Sequence, residues 1–200
     1  MKKSLLLLLL LLLPLVTMTA FGQESRQDIS VSGSALLPPT LVGRGAHFQA
    51  DPGVGVLISY RYLLTPRSGL ELNYQYAQQN LTIFNQTNKV GIHARFQEMS
   101  GAYVRSFVLG NWNPFVEGGI GGYIYSPIDD EGSQSLYLSR NTNIGALYGA
   151  GFAYEISPSF DIRAEYRGII IKTPNFGVNN FSTGRYFNIS DPVIGIAYHF

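Results

Sequence analysis

The chain has 200 residues, with 14 Lys+Arg against 13 Asp+Glu and a formal net charge of +1 when its three histidines are neutral. That near-balance excludes the basic face with which nucleic-acid binders meet phosphates, and a cysteine count of zero excludes disulfide stapling and N-terminal lipid acylation. The length suits one domain, and 13 Tyr, 12 Phe and 22 Gly suit strands with aromatic girdles.

The chain opens Met1-Lys2-Lys3-Ser4 and runs through leucines to Leu13, then Pro14 and small residues to Ala20-Phe21-Gly22. A basic start, a short apolar run and a small-residue stop predict a cleavable signal peptide over residues 1–22, with 23–200 as the mature domain. Pro14 and the lack of a following basic cluster argue against a retained anchor. Without Lys2 and Lys3 the mature chain keeps 12 bases against 13 acids, a net charge of −1.

No later apolar run approaches the ~20 residues of a spanning helix. Period-two alternation recurs instead. The first segment, Gln27 to Leu37, alternates through Ile29, Val31, Gly33 and Ala35. The second, Gly53 to Leu63, places Val54, Val56, Ile58, Tyr60 and Tyr62 opposite Gly55, Leu57, Ser59 and Arg61. Thr65-Pro66-Arg67-Ser68-Gly69 has turn composition, and Leu70, Leu72, Tyr74 and Tyr76 then oppose Glu71, Asn73 and Gln75. Between Lys89 and Leu109 the phase is ambiguous. Met99, Tyr103 and Phe107 are expected outward, Glu98 and Ser100 inward, with a bulge near Gln97 resetting the phase.

Asn111-Trp112-Asn113-Pro114 is expected to turn. Phe115 to Ser126 follows, with Val116, Ile120 and Ile124 opposing Glu117, Gly119, Gly121 and Tyr123. The sixth segment spans Ile144 to Ile156, and Ser157-Pro158-Ser159 turns it. Phe160, Ile162, Ala164, Tyr166, Gly168 and Ile170 then oppose Asp161, Arg163, Glu165 and Arg167. The eighth segment runs from about Asn188 to Phe200. Long polar connections (38–52, 80–88, 126–143 and 173–187) follow the odd segments and short ones follow the even. That asymmetry predicts an all-β fold: an eight-stranded antiparallel transmembrane β-barrel with both ends at the short-turn, periplasmic rim.

The seventh segment sets inside against outside. Its four charges share one face, and an arginine facing mid-bilayer lipid costs roughly 2–4 kcal/mol. The charged face therefore points into the lumen, which in an eight-stranded barrel is filled by its own side chains. Charges buried there need partners. The expected lumen ion network comprises Arg61, Glu71, Glu98, Glu117, Asp161, Arg163, Glu165 and Arg167. Tyr60, Tyr62, Tyr74, Tyr76, Tyr123 and Tyr125 gather near strand ends, where those pointing outward would form interfacial girdles.

The pattern resembles the small outer-membrane barrels of Gram-negative bacteria, the OmpA/OmpX-like family, across the whole mature chain. Its most specific element is the ending, where Ile194, Ile196, Tyr198 and Phe200 match the family's C-terminal signature. The stretch from Asp161 to Gly168, with Lys172-Thr173-Pro174-Asn175-Phe176, also looks like a penultimate strand and last loop of that family. The resemblance implies Sec export to the outer membrane, and delivery by periplasmic chaperones to a barrel assembly machinery that reads those four residues. It also implies outer-membrane lipid and lipopolysaccharide as surroundings, and a cofactor-free monomer. The family's cell-wall-binding domain has no counterpart in this sequence, so that role is not carried over.

Other motifs carry less. Gly110-Asn111-Trp112 matches a lipocalin G-x-W, but in mid-chain rather than in a first strand. Gly118-Gly119-Ile120-Gly121-Gly122 lacks the helix start and Lys-Ser/Thr of a phosphate loop and fits strand bending or room for lumen side chains. His47, His93 and His199 lack metal-ligand spacing. The sequons at Asn80 and Asn85 mean nothing in a bacterium. Three functions compete: a structural or surface-interaction protein using four extracellular loops, a narrow pore for small solutes, and a lipid A-modifying enzyme using His47 and Asp51. The first is the expectation, and the protein is not expected to be an enzyme.

Overall fold

A computed structural model describes residues 26–43, 46–85, 88–128, 139–174, 176 and 185–200. The expected signal peptide lies outside the described residues. The strands are β1 (Gln27–Leu36), β2 (Leu41–Gly43), β3 (Ala46–Ala50), β4 (Gly53–Thr65), β5 (Ser68–Asn85), β6 (Asn88–Ser106), β7 (Trp112–Pro127), β8 (Asn141–Ser157), β9 (Phe160–Lys172) and β10 (Tyr186–His199). Eight of them, β1 and β4 to β10, form a closed antiparallel ring. Each pairs with its neighbour in sequence, and β1 meets β10 from Asp28↔His199 to Ser34↔Val193. Closure pairs each of the eight strands on both sides below the long-connection rim, which is how a sheet satisfies its backbone groups within lipid.

The short turns follow their local chemistry. Pro66 presets the turn between β4 and β5, and the Thr65 and Ser68 hydroxyls share a 2.6 Å hydrogen bond across it. Gly110 takes φ +67° in the turn before β7, a left-handed backbone that costs glycine little. Trp112, expected within that turn, instead begins β7 and packs on Phe152 and Tyr154 of β8, with ring centroids 5.5 and 4.9 Å away.

The long-connection rim departs more from expectation. The segment 80–88, read as a polar loop, is a hairpin: β5 and β6 pair out to Asn85↔Asn88. The connection 38–52 contains β2 and β3, and β3 pairs with the end of β5 from Ala46↔Asn85 to Ala50↔Leu81. This folded-over hairpin carries Phe48 into the barrel mouth, where its ring lies 6.0 Å from that of Phe187.

No bulge interrupts β6 at Gln97; its register with β5 and β7 is continuous there. Shifts occur instead beside short turns, at Leu63/Thr65 and Glu155/Ser157. Met99 and Tyr103 face outward and Glu98 and Ser100 inward as expected, while Phe107 is exposed beyond the strand end. The phase is ambiguous in sequence because the lumen has two storeys. Toward the short-turn rim its residues are ionic. Toward the other rim they are apolar: Leu36, Leu81, Ile92, Phe96, Leu147, Ile169, Ile171, Phe187 and Ile189 are buried together. Tyr123 and Tyr125 point into this upper storey and belong to no outward girdle. There β6 reverses the expected contrast, with Ile92, Ala94 and Phe96 inside and His93, Arg95 and Gln97 outside.

Candidate functional site in the barrel lumen

All eight side chains expected in the lumen are buried, on the walls formed by β4 to β7 and β9. Register brings the first pair together directly, since Arg61 of β4 lies opposite Glu71 of β5. The Arg61 Nε donates to Glu71 Oε2 at 2.7 Å and its second nitrogen lies 2.6 Å from the same oxygen. Arg163 reaches Asp28 Oδ1 at 3.1 Å and lies 3.8 Å from Glu71 Oε2. The ring of Phe115 packs under both guanidiniums, 4.8 Å from Arg61 and 5.9 Å from Arg163. Such stacking offers a delocalised cation a favourable surface where water is excluded.

Arg167 is the hub of the site. It has 0% exposure and reaches three strands. One terminal nitrogen lies 2.5 Å from Glu98 Oε1, the other 3.2 Å from Asp191 Oδ2, and Nε 3.6 Å from Glu117 Oε1. Gln75 ties the same layer to β1 and β10, donating to Ser34 Oγ at 2.7 Å and Asp191 Oδ2 at 2.9 Å. Ser100 donates to Glu98 Oε1 at 2.6 Å. Gly149 makes room here, because a Cβ at that position would stand 2.6 Å from Glu117 Oε1.

Asp161 is held apart from these groups, 2.8 Å from His199 Nε2. Glu165 is buried on the same wall, and its Oε2 has no hydrogen-bond partner. Neither oxygen of Glu117 accepts a hydrogen bond. Among the described residues, seven buried carboxylates thus face three buried guanidiniums.

Sequence reasoning missed Asp28, Asp191 and the bond to His199, and placed Gln75 on the inward face without giving it a part in the network. Asp28 was legible, because it is in phase with Ser30, Ser32 and Ser34 opposite Ile29 and Val31. Asp191 was not, since its inward neighbours Ile189 and Val193 are as apolar as the outward Ile194. Of the catalytic option, His47 lies in β3 opposite Phe84 of β5, and Asp51 is exposed at the rim just beyond that strand. No group of three or more His, Cys, Asp or Glu suited to a metal ion occurs among the described residues.

A closed eight-stranded sheet with an apolar outer band and a self-filled lumen defines a transmembrane β-barrel. The outer membrane protein beta-barrel domain model matches residues 8–200, and the chain belongs to that family. This places it in the bacterial outer membrane. No curated protein matches its sequence. Among solved structures, OprG from Pseudomonas aeruginosa is 13% identical, with TM-score 0.63, over 90% of this chain and 99% of that one. Neisserial surface protein A is 15% identical, with TM-score 0.63, over 88% and 98% respectively. Ail of Yersinia pestis, solved in complex with the heparin analogue sucrose octasulfate, is 16% identical, with TM-score 0.50, over 89% and 100%. At these identities the likeness is one of fold.

Proposed function

We propose that this barrel is a closed outer-membrane scaffold whose work is done by the four extracellular connections, three of them long and the one between β5 and β6 a projecting strand hairpin. The observation that carries this is Arg167, wholly buried, paired with Asp191 on the adjacent strand and joined across the lumen to Glu98 and Glu117. Moving ions past that layer means separating a buried cation from its partners, which costs several kcal/mol. The apolar storey above it offers ions no solvation. In this reading the protein is exported by Sec, meets periplasmic chaperones, and is assembled through the strand carrying Ile194, Ile196, Tyr198 and Phe200. It works as a monomer without cofactor or catalytic chemistry, amid outer-membrane lipid and lipopolysaccharide.

Refolded protein in a planar bilayer tests this. The expected result is a silent bilayer; resolved single-channel steps would overturn the closed scaffold. A second reading, a narrow path for small apolar solutes, rests on the upper storey and the seam beside it. There the β8–β9 ladder stops at Ala146↔Ile170 while β8 continues to Asn141. Faster entry of an apolar dye into proteoliposomes than into protein-free vesicles would favour that path.

A further inference from the structure

The ion pairs of the lumen lie in layers, and one level between them is left unpaired. Glu71 of β5 lies 3.8 Å from Arg163 of β9, across the lumen. Both strands run toward the long-connection rim, so the next inward residues are Asn73 and Glu165, and the next again Gln75 and Arg167. Gln75 and Arg167 meet on Asp191 Oδ2, at 2.9 and 3.2 Å. Asn73 and Glu165 therefore face each other between two closed layers. Asn73 is only 3% exposed, yet neither of its amide atoms has a hydrogen-bond partner, and nor does Glu165 Oε2.

Glu117 joins this level from β7. It is in register with Gly149 of β8, and its Oε1 lies over that glycine. The next inward residue of β8, Gly151, is paired with Glu165, and a Cβ there would stand 2.6 Å from the Glu165 Cβ. Two successive inward glycines thus let carboxylates from β7 and β9 close over β8. Ser59, opposite Asn73 in register, is small and buried. Charge singles out the same groups. Asp28, Glu71, Glu98, Asp161 and Asp191 each have a cationic or histidine partner. Glu117 has only Arg167 Nε, 3.6 Å away, and among the described residues no basic side chain pairs with Glu165. A buried carboxylate without a counter-charge is costly.

We propose that this level of the lumen binds one divalent cation of the calcium class, held by the carboxylates of Glu117 and Glu165 and the amide oxygen of Asn73. The Ser59 hydroxyl and water complete its shell. Every donor is an oxygen, which selects a hard cation, and two carboxylates match a charge of two. The donor set is irregular. Calcium accepts oxygens in flexible geometry, whereas magnesium demands a near-ideal octahedron. With two acids rather than three, retention comes from the ion-paired layers on either side more than from charge. Those layers also predict that the ion enters while the barrel folds. Its role is structural: it ties β5, β7 and β9 together across the lumen and takes part in no chemistry. The site does not depend on what the outer connections do.

The test refolds the full mature barrel into zwitterionic lipid vesicles with radioactive calcium chloride, washes it with EDTA and counts what stays. Wild type is expected to retain about one calcium per barrel. Barrel folded first in chelator and given calcium afterwards supplies the surface background. Glu117→Gln/Glu165→Gln is expected to retain nothing above that background and Asn73→Ala much less than wild type, while Glu155→Gln, an exposed acid, leaves retention unchanged. Heat-modifiable migration shows that each variant is folded. In urea unfolding followed by Trp112, calcium present during refolding is expected to raise the wild-type midpoint by roughly 1 M. The double variant should not respond, and without calcium it should be at least as stable as wild type. No retention by wild type, or equal retention by the double variant, overturns the site. Equal uptake before and after folding overturns its burial, and an unmoved wild-type midpoint overturns its structural role. Magnesium retained in preference at equal concentration overturns the choice of calcium.

Discussion

Replacing Arg167 with methionine keeps much of its volume and removes its charge. Glu98, Asp191 and Glu117 then lose their shared cation in a layer where none of them reaches water freely. Breaking a buried pair by removing one partner typically costs about 3–5 kcal/mol, because the remaining charge is left uncompensated. Three carboxylates share the loss here, and protonation or rearrangement relieves part of it, so a cost near 3 kcal/mol is expected. Urea unfolding in lipid vesicles measures it, with Trp112 as the chain's single tryptophan reporter, set against Phe152 and Tyr154. Adding Glu98→Gln and Asp191→Asn to Arg167→Met removes two of the three orphaned charges and should recover at least half of the loss. A cost below 1 kcal/mol, or no recovery in the triple variant, would refute the idea that this ion layer bears on stability.

Four further outcomes follow from the same geometry. Glu117→Gln should leave stability unchanged or raise it by up to about 1 kcal/mol, because neither oxygen accepts a hydrogen bond and the layer has surplus acid; a clear loss in urea unfolding counts against this. Tyr123→Phe should cost less than about 0.5 kcal/mol in the same assay, since its buried hydroxyl has no hydrogen-bond partner. Ile194→Arg, on the outward face of β10, should cost roughly 2–4 kcal/mol in lipid, whereas a soluble fold would register almost nothing. Gly168→Ala should destabilise by about 1–3 kcal/mol, because its Cβ would enter the Tyr148 ring packed over it; unchanged melting of unboiled samples on gels would contradict that packing.

The chain's own pattern determined the eight-stranded ring, its short turns and the lumen position of Arg61, Arg163 and Arg167, but not the hairpin into which 80–88 folds. Those features follow from a period of two and from the cost of charge in lipid, both local enough to read along one strand. Only the tertiary structure decided the upper storey. There the lumen is packed with apolar side chains, so Ile92, Ala94 and Phe96 face inward and His93 and Arg95 outward, and the rule that apolar side chains meet lipid gives this stretch the wrong phase. Only folding brought Glu98 to Arg167 and Phe48 to Phe187, because those contacts join residues whose neighbours in sequence say nothing about the opposite wall. A barrel interior is completed by closure, and closure is a property of the ring rather than of any segment in it.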